Sequence, residues 1–256
     1  MEGGAGTILG LNPENIMNLP AFEKTEAYLH VHSTRSGPGG VIQPVGPFVT
    51  ISRESGAGGT SLARALAERL PVGGSEAPPW TVYSANLIEE MLRSNNLSPR
   101  LARFLPEDRV SEVDASVGEL VGLHPNLWDL VEKTNELIRQ FARAGHAILL
   151  GRGANFATRG IPHGVHVRLV APRADRAERT ARWLSLDLDS AAEHNARRDA
   201  ARQRYVRATF SADIADPTAY DLVLNTAHVP VDTGVEIIAG FVRAQQRLTA
   251  NAGLRN

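Results

Sequence analysis

The sequence predicts an α/β fold, a mostly parallel five-stranded sheet with helices on both faces. Three observations carry that expectation. First, a short β-rich run, Phe48-Val49-Thr50-Ile51-Ser52, stops at a glycine cluster and passes into a helical apolar stripe. Second, four further short β-rich runs follow along the chain, separated by stretches of helical pattern. Third, 43% apolar and 21% charged residues match an ordinary globular domain with a sizeable core.

The elements can be justified in order. Residues 1–46 lack sustained periodicity and are rich in Gly, Pro, Asn and Ser, so they read as an N-terminal extension. Within it, Ser36-Gly37-Pro38-Gly39-Gly40 has linker composition, and a short helix fits residues 20–29. The domain proper is expected over residues 47–250. Residues 48–52 form its first buried strand. Residues 61–70 place Leu62, Leu66 and Leu70 at i, i+4 and i+8, with Ala63 and Ala67 beside them, one face of a helix. A loop at 73–79 leads to a second strand, Trp80-Thr81-Val82-Tyr83.

Residues 86–144 are mostly helical in pattern, interrupted near Ser94-Asn95-Asn96 and between Gly122 and Asn126. Ala147-Ile148-Leu149-Leu150 is a wholly apolar strand that ends at Gly151, and 165–170 is another, ending at Ala171-Pro172. Residues 173–194 and 195–205 read as arginine-rich helices. Leu222-Val223-Leu224-Asn225 is the last strand and 232–248 the closing helix. No internal repeat is present.

Composition removes several function classes. There is no cysteine, which excludes disulfides, thiolate catalysis and cysteine-ligated metals. A formal net charge of −1 supplies no global attraction to nucleic acid or anionic membranes. The start of the chain lacks the pattern of a secretory signal, and no apolar run approaches the ~20 residues that span a bilayer. A cytoplasmic protein is the expectation, with neither nucleic acid nor membrane as partner; no feature of the sequence sets an oligomeric state. Lys24 and Lys133 are the only lysines, so arginine carries nearly all positive charge. His146, His163 and His166 show no metal-ligand spacing and read as structural.

After the first strand the chain reads Arg53-Glu54-Ser55-Gly56-Ala57-Gly58-Gly59-Thr60-Ser61. Glycines let a backbone turn sharply and approach an oxyanion closely. The unpaired N–H groups at a helix start carry partial positive charge, so loop and helix together make an anion site. Thr60 and Ser61 add hydroxyls there, one able to cap the helix and one to coordinate Mg²⁺. The pattern G-x-x-x-x-G-K-[ST] itself is not met, and a tight turn with a capped helix is the plainer alternative.

The residues resemble the cytidylate kinase-like branch of the nucleoside monophosphate kinases. Ile51-Ser52-Arg53-Glu54, then Gly56-Ala57-Gly58-Gly59 and the Leu62-Ala63 to Leu66-Ala67 helix, resemble its first motif. On that motif Gly58 falls on the glycine before the lysine, Gly59 on the lysine, Ser61 on the Mg²⁺-binding hydroxyl and Arg53 on the opening glycine. Leu150-Gly151-Arg152-Gly153 resembles the Gly-Arg-Asp segment, in which the arginine binds the monophosphate and the aspartate helps hold the nucleoside; Gly153 stands in the place of that aspartate. Arg198-Asp199 with Arg202 resembles the arginine-rich lid, and 221–226 the last strand and turn. Where relatives carry Tyr-Asp after the second strand, this chain has Tyr83-Ser84.

The resemblance implies a three-layer P-loop NTPase-type fold with a helical acceptor insert at about 86–144 and a lid at about 185–215. It implies ATP and Mg²⁺ as cofactors and a nucleotide plus a small-molecule acceptor as partners. By that likeness Ser55, Gly56, Ala57, Gly58, Gly59, Thr60 and Ser61 hold the phosphates, with Ser61 on the metal. Arg152 and Tyr83 meet the acceptor, and Arg53, Arg198 and Arg202 stabilise the transferring phosphoryl group. The activity implied is ATP-dependent phosphotransfer to a nucleoside monophosphate or a related acceptor. A non-catalytic nucleotide-binding module, or a kinase for a different metabolite, stays open. Each arginine also has a plainer use: Arg53 beside Glu54, and Arg198 and Arg202 on a solvated helix face with Asp199 as their ion-pair partner.

Overall fold

The computed structural model describes residues 46–70, 79–84 and 125–253, all within the second of two units into which the chain divides, Ile42–Asn256. The expected extension at 1–46 lies essentially outside them, as do most of the loop at 73–79 and much of the insert at about 86–144. Five strands form one sheet: β1 (Phe48–Arg53), β2 (Thr81–Tyr83), β3 (Ala147–Leu150), β4 (Gly164–Val170) and β5 (Leu222–Asn225). Their order is β2-β3-β1-β4-β5 and every pairing is parallel. The helices are α1 (Gly59–Arg69), α2 (Pro125–Ala144), α3 (Ala154–Ala157), α4 (Arg173–Leu184), α5 (Leu188–Phe210) and α6 (Val231–Gly253).

Register sorts the strand residues onto two faces, because side chains alternate along each strand. Val82, Ile148, Val49 and Val165 align across the sheet on one face. There they pack with Leu62 and Leu66 of α1 and Val235, Ile238 and Val242 of α6. Leu66 and Ile238 are fully buried, and burying such a side chain stabilises the fold by roughly 1.5–3 kcal/mol. Tyr83, Leu149, Thr50 and His166 align on the opposite face, where the Tyr83 ring stacks on Phe141 of α2 at 4.0 Å.

That second face turns polar toward its centre. Thr50 Oγ1 meets His166 Nδ1 at 2.9 Å, and Arg168 donates to Ser52 Oγ at 3.1 Å. Burial holds the His166 imidazole below the ordinary histidine range; the Asp221 carboxylate opposes this and Arg159 reinforces it. Burial likewise depresses His146, which packs edge-on against Trp80. An imidazole with a lowered folded-state pKa binds fewer protons in the fold than in the unfolded chain, so stability rises with pH through that range. The contribution is complete above the ordinary value of 6.5 and is lost as pH falls below it. Urea midpoints should therefore drop between about pH 7.5 and about pH 5.5, and drop less in His146→Asn, asparagine being tolerant of the left-handed backbone (φ 51°) at that position.

Several boundaries differ from expectation. β1 runs on to Arg53, which pairs with Leu169. α1 starts at Gly59 with Gly58 as its N-cap at φ 80°, and no side chain caps it, so neither Thr60 nor Ser61 serves that role. The arginine-rich helices break at Ser185 rather than at 194–195. Ser185 takes a left-handed conformation, and Asp187 then starts α5 by accepting from the Ser190 N–H at 2.8 Å. Hydrogen bonds from the Ser190 side chain and backbone hold the Asp187 carboxyl below its usual range. α3 and the short helix Pro217–Ala219 were not expected.

Candidate functional site

The carboxyl ends of β1, β3 and β4 meet at the centre of the sheet, where the chain passes from β3 across β1 to β4. Open α/β sheets bind ligands at such a crossing point. The loop after β1 is a compact turn: Ala57 N–H bonds Glu54 O, and Gly56 and Gly58 both stand near φ 80°. A Cβ on Gly56 would lie 2.5 Å from the Arg176 carbonyl oxygen, so the loop seats directly on α4. Among the described residues nothing accepts from the N–H groups of Gly56, Gly58, Gly59, Thr60 or Ser61. Thr60 and Ser61 are exposed at the helix start.

Gly59 is covered by a neighbour. A Cβ there would lie 3.0 Å from Arg53 Cγ and 3.4 Å from its Cβ and Cδ. The aliphatic stem of Arg53 thus lies across the position from which the family's lysine would project.

A buried polar network fixes the loop. Arg176, 6% exposed, donates from Nε to Ala171 O at 2.9 Å and from Nη1 to Ser55 O at 3.0 Å. It also pairs with Asp199 at 2.8 Å and Glu54 at 3.3 Å. Asp199 accepts from Arg202 at 3.1 Å and from the Ser55 N–H at 2.7 Å. Arg179 adds a further tie, reaching Thr226 O at 2.7 Å in the turn after β5. Glu54 takes the Ala171 N–H as well, so its carboxylate serves Arg176 and the end of β4.

After β3 the backbone runs through Gly151, Arg152 and Gly153 at φ 86°, 53° and 62°. The left-handed region costs a non-glycine residue roughly 1–2 kcal/mol, and Arg152 bears that cost while 3% exposed. Arg152 lines a small pocket together with Ser52, Arg53, Asn155, Arg202 and Tyr205. A larger cleft of about 610 Å³ lies alongside, lined by Arg53, Arg168, Arg173, Arg176, Asn195 and Arg202 among others. Arg53, Arg202 and Ile214 belong to both.

The structure thus brings Arg53, Arg152 and Arg202 together on one pocket. Asn195, Asp199 and Arg202 share one face of α5, being spaced i, i+4 and i+7. Arg198 sits at the edge of that face, half-buried, and lines neither cavity. Asp199 pairs with Arg202 and with Arg176. Tyr83 is 4% exposed, stacked on Phe141, and lines neither cavity. Sequence reasoning passed over Arg168 and Arg176. For Arg168 the available signal was a charged residue between Val167 and Leu169 in a buried strand. Arg176 carried no such signal, being one more arginine on a charged helix. Among the described residues no group of three His, Asp or Glu side chains could hold a metal. No described helix is long and apolar enough to cross a membrane.

Fold and site together define a three-layer α/β protein with a glycine loop at the centre of its parallel sheet. The chain belongs to the cytidylate kinase-like family, whose model matches residues 48–228. It is 22% identical to a cytidylate kinase of Methanocaldococcus jannaschii over 175 residues, covering 68% of this chain and 96% of that protein. It is 25% identical to a cytidylate kinase of Methanopyrus kandleri over 202 residues, covering 76% of this chain and 92% of that protein. An uncharacterized protein from Eubacterium ventriosum shares the fold with a TM-score of 0.55 at 19% identity, covering 77% of this chain and 98% of that one.

Proposed function

We propose that the protein is an ATP-dependent phosphotransferase that moves the γ-phosphoryl group of ATP to a nucleoside monophosphate or a related small phosphorylated acceptor. The observation that supports it most is the stem of Arg53 lying over Gly59, since an arginine there can supply the loop with a cation from a different point of the chain. Phosphoryl transfer asks a protein for in-line positioning and for cations around the equatorial oxygens, not for covalent chemistry. Guanidinium forks suit that task.

In this reading the open N–H groups from Gly56 to Ser61 hold the donor's phosphates, with Ser55 and Ala57 shaping the turn. The residues fit a nucleotide with Mg²⁺: the glycine cradle is open, Gly58 having nothing within 4 Å of where a Cβ would stand. Ser61 would give Mg²⁺ a hydroxyl ligand, and Mg²⁺ otherwise takes water and phosphate oxygens rather than a cage of carboxylates. Bound there, the ion would neutralise charge on the donor's phosphates. Arg152 takes the acceptor phosphate, and Arg53 and Arg202 stabilise the group in transit. An acceptor oxygen forms the new bond to the γ-phosphorus, the bond to the bridging oxygen breaks, and ADP leaves. α5 and the turn after it, about residues 185–215, act as the lid.

A coupled assay of ADP release with ATP, Mg²⁺ and CMP, dCMP, UMP or AMP tests this, with acceptor-dependent turnover expected. Protein that binds ATP yet gives no turnover above background with any acceptor would sink it. One contact favours a second reading, a non-catalytic nucleotide-binding module: the Asp199 carboxylate already occupies the Ser55 N–H of the loop. That reading expects thermal stabilisation by ATP without turnover, and Arg152→Ala abolishing a measurable transfer would overturn it.

A further inference from the structure

Arg168 is a buried cation in the middle of a strand. It stands in β4 between Val167 and Leu169, both fully buried, and is itself 7% exposed. Its Nη1 donates to Ser52 Oγ at 3.1 Å, and its guanidinium lies 5.6 Å from the centre of the Tyr220 ring. Among the described residues no carboxylate pairs with it. A hydroxyl and a ring face leave a buried guanidinium largely uncompensated, whereas buried charges are as a rule paired or bound to a ligand. Its buried neighbours follow that rule: Arg176 has Glu54 and Asp199, and Arg202 has Asp199. Arg168 instead faces the 610 Å³ cleft.

Its placement says which ligand would complete it. Arg168 projects from the sheet face of Thr50 and Ser52, opposite the face on which α1 packs. Ser52, its hydrogen-bond partner, also lines the pocket of Arg152. Two cavities therefore adjoin across the shared walls of Arg53 and Arg202, one holding Arg152 and one holding Arg168. Of the carboxylates in the second, Glu54 and Asp199 are taken up by Arg176 and Arg202, and Glu193 pairs with Arg197. We propose that Arg168 is a second oxyanion subsite, so that the acceptor carries a carboxylate or phosphate group in addition to the phosphate held at Arg152. The term acceptor rests on the phosphotransfer reading; the anion subsite does not.

The test uses the full chain, titrated calorimetrically with a matched pair, 3-phosphoglycerate and glycerol 3-phosphate, with and without ATP–Mg²⁺. The carboxylate-bearing probe should bind the native protein about tenfold tighter or more, as a charge-assisted contact implies. Arg168→Met should abolish that preference and leave glycerol 3-phosphate unchanged, with Arg168→Gln as a second variant. Glycerol 1,3-bisphosphate separates the two sources: a preference for it over 3-phosphoglycerate assigns the subsite to phosphate, the reverse to carboxylate. Without ligand, Arg168→Met should melt no lower than the native protein, since replacing an uncompensated buried charge by an apolar side chain is neutral or stabilising. Equal affinity of the native protein for all three probes, or a loss in Arg168→Met shared by glycerol 3-phosphate, overturns the proposal. Failure of phosphotransfer with every acceptor would count against the kinase reading alone, because the preference is also measured without ATP.

Discussion

Arg53→Ala is expected to lower phosphotransfer by about 10²–10³ in kcat, and moving the cation to position 59 in the same protein should recover most of the loss. A donor aimed at developing negative charge in a water-poor site is worth a few kcal/mol of barrier, more than a surface charge could be. Arg53 reaches the loop from the last residue of β1, and its stem fills the space over Gly59. Gly59→Lys alone would therefore crowd Arg53 Cγ. With Arg53 shortened to alanine the lysine has room, and the double variant should return to within about tenfold of the native rate. The measurement is single-turnover ADP formation at saturating ATP. Activity untouched in Arg53→Ala would remove Arg53 from the site.

The largest effect on stability should come from Arg176→Met, about 3 kcal/mol in urea denaturation. The substitution keeps the apolar stem but leaves two carboxylates, Glu54 and Asp199, and two carbonyls, Ser55 and Ala171, without their shared donor. Removing one partner of a buried pair costs roughly 3–5 kcal/mol, and the lower end applies because both carboxylates remain about a quarter exposed. Glu54→Gln in the Arg176→Met background should recover part of the loss, since that carboxylate has no other paired cation among the described residues, whereas Asp199 keeps Arg202 and the Ser55 N–H. Full additivity of the two changes would show that the pair is not coupled.

All five strands were legible because each is a short β-rich run that stops at or near Gly, Pro, Ser or Asn, a pattern that local chemistry sets. The glycine turn between β1 and α1 was legible for the same reason, its glycines lying close together in sequence. The turn between α4 and α5 was not, because Ser185 adopts a left-handed conformation that nothing in Leu184-Ser185-Leu186 demands. The site arginines divide similarly. Arg152 follows a strand end and could be found by position. Arg168 and Arg176 take their meaning from Ser52, Ser55 and Asp199, which lie far from them in the chain or on another helix. Charge on a helix has the same pattern whether it faces solvent or a loop, and only tertiary contact separates the two.

The corner at Gly153 bears on how this chain can change over generations. A Cβ at that position would lie 2.4 Å from Phe210 Cε2, and the Phe210 ring is held between Phe156 and Tyr205. A side chain at 153 enters only if the Phe210 ring shifts or residue 210 shrinks, and either change disturbs the aromatic cluster. A side chain added at 153 and a smaller residue at 210 are each unfavourable alone, and the contact between the two positions couples their effects. What residue 153 can become is therefore set by what stands at residue 210, on a different helix and far along the chain.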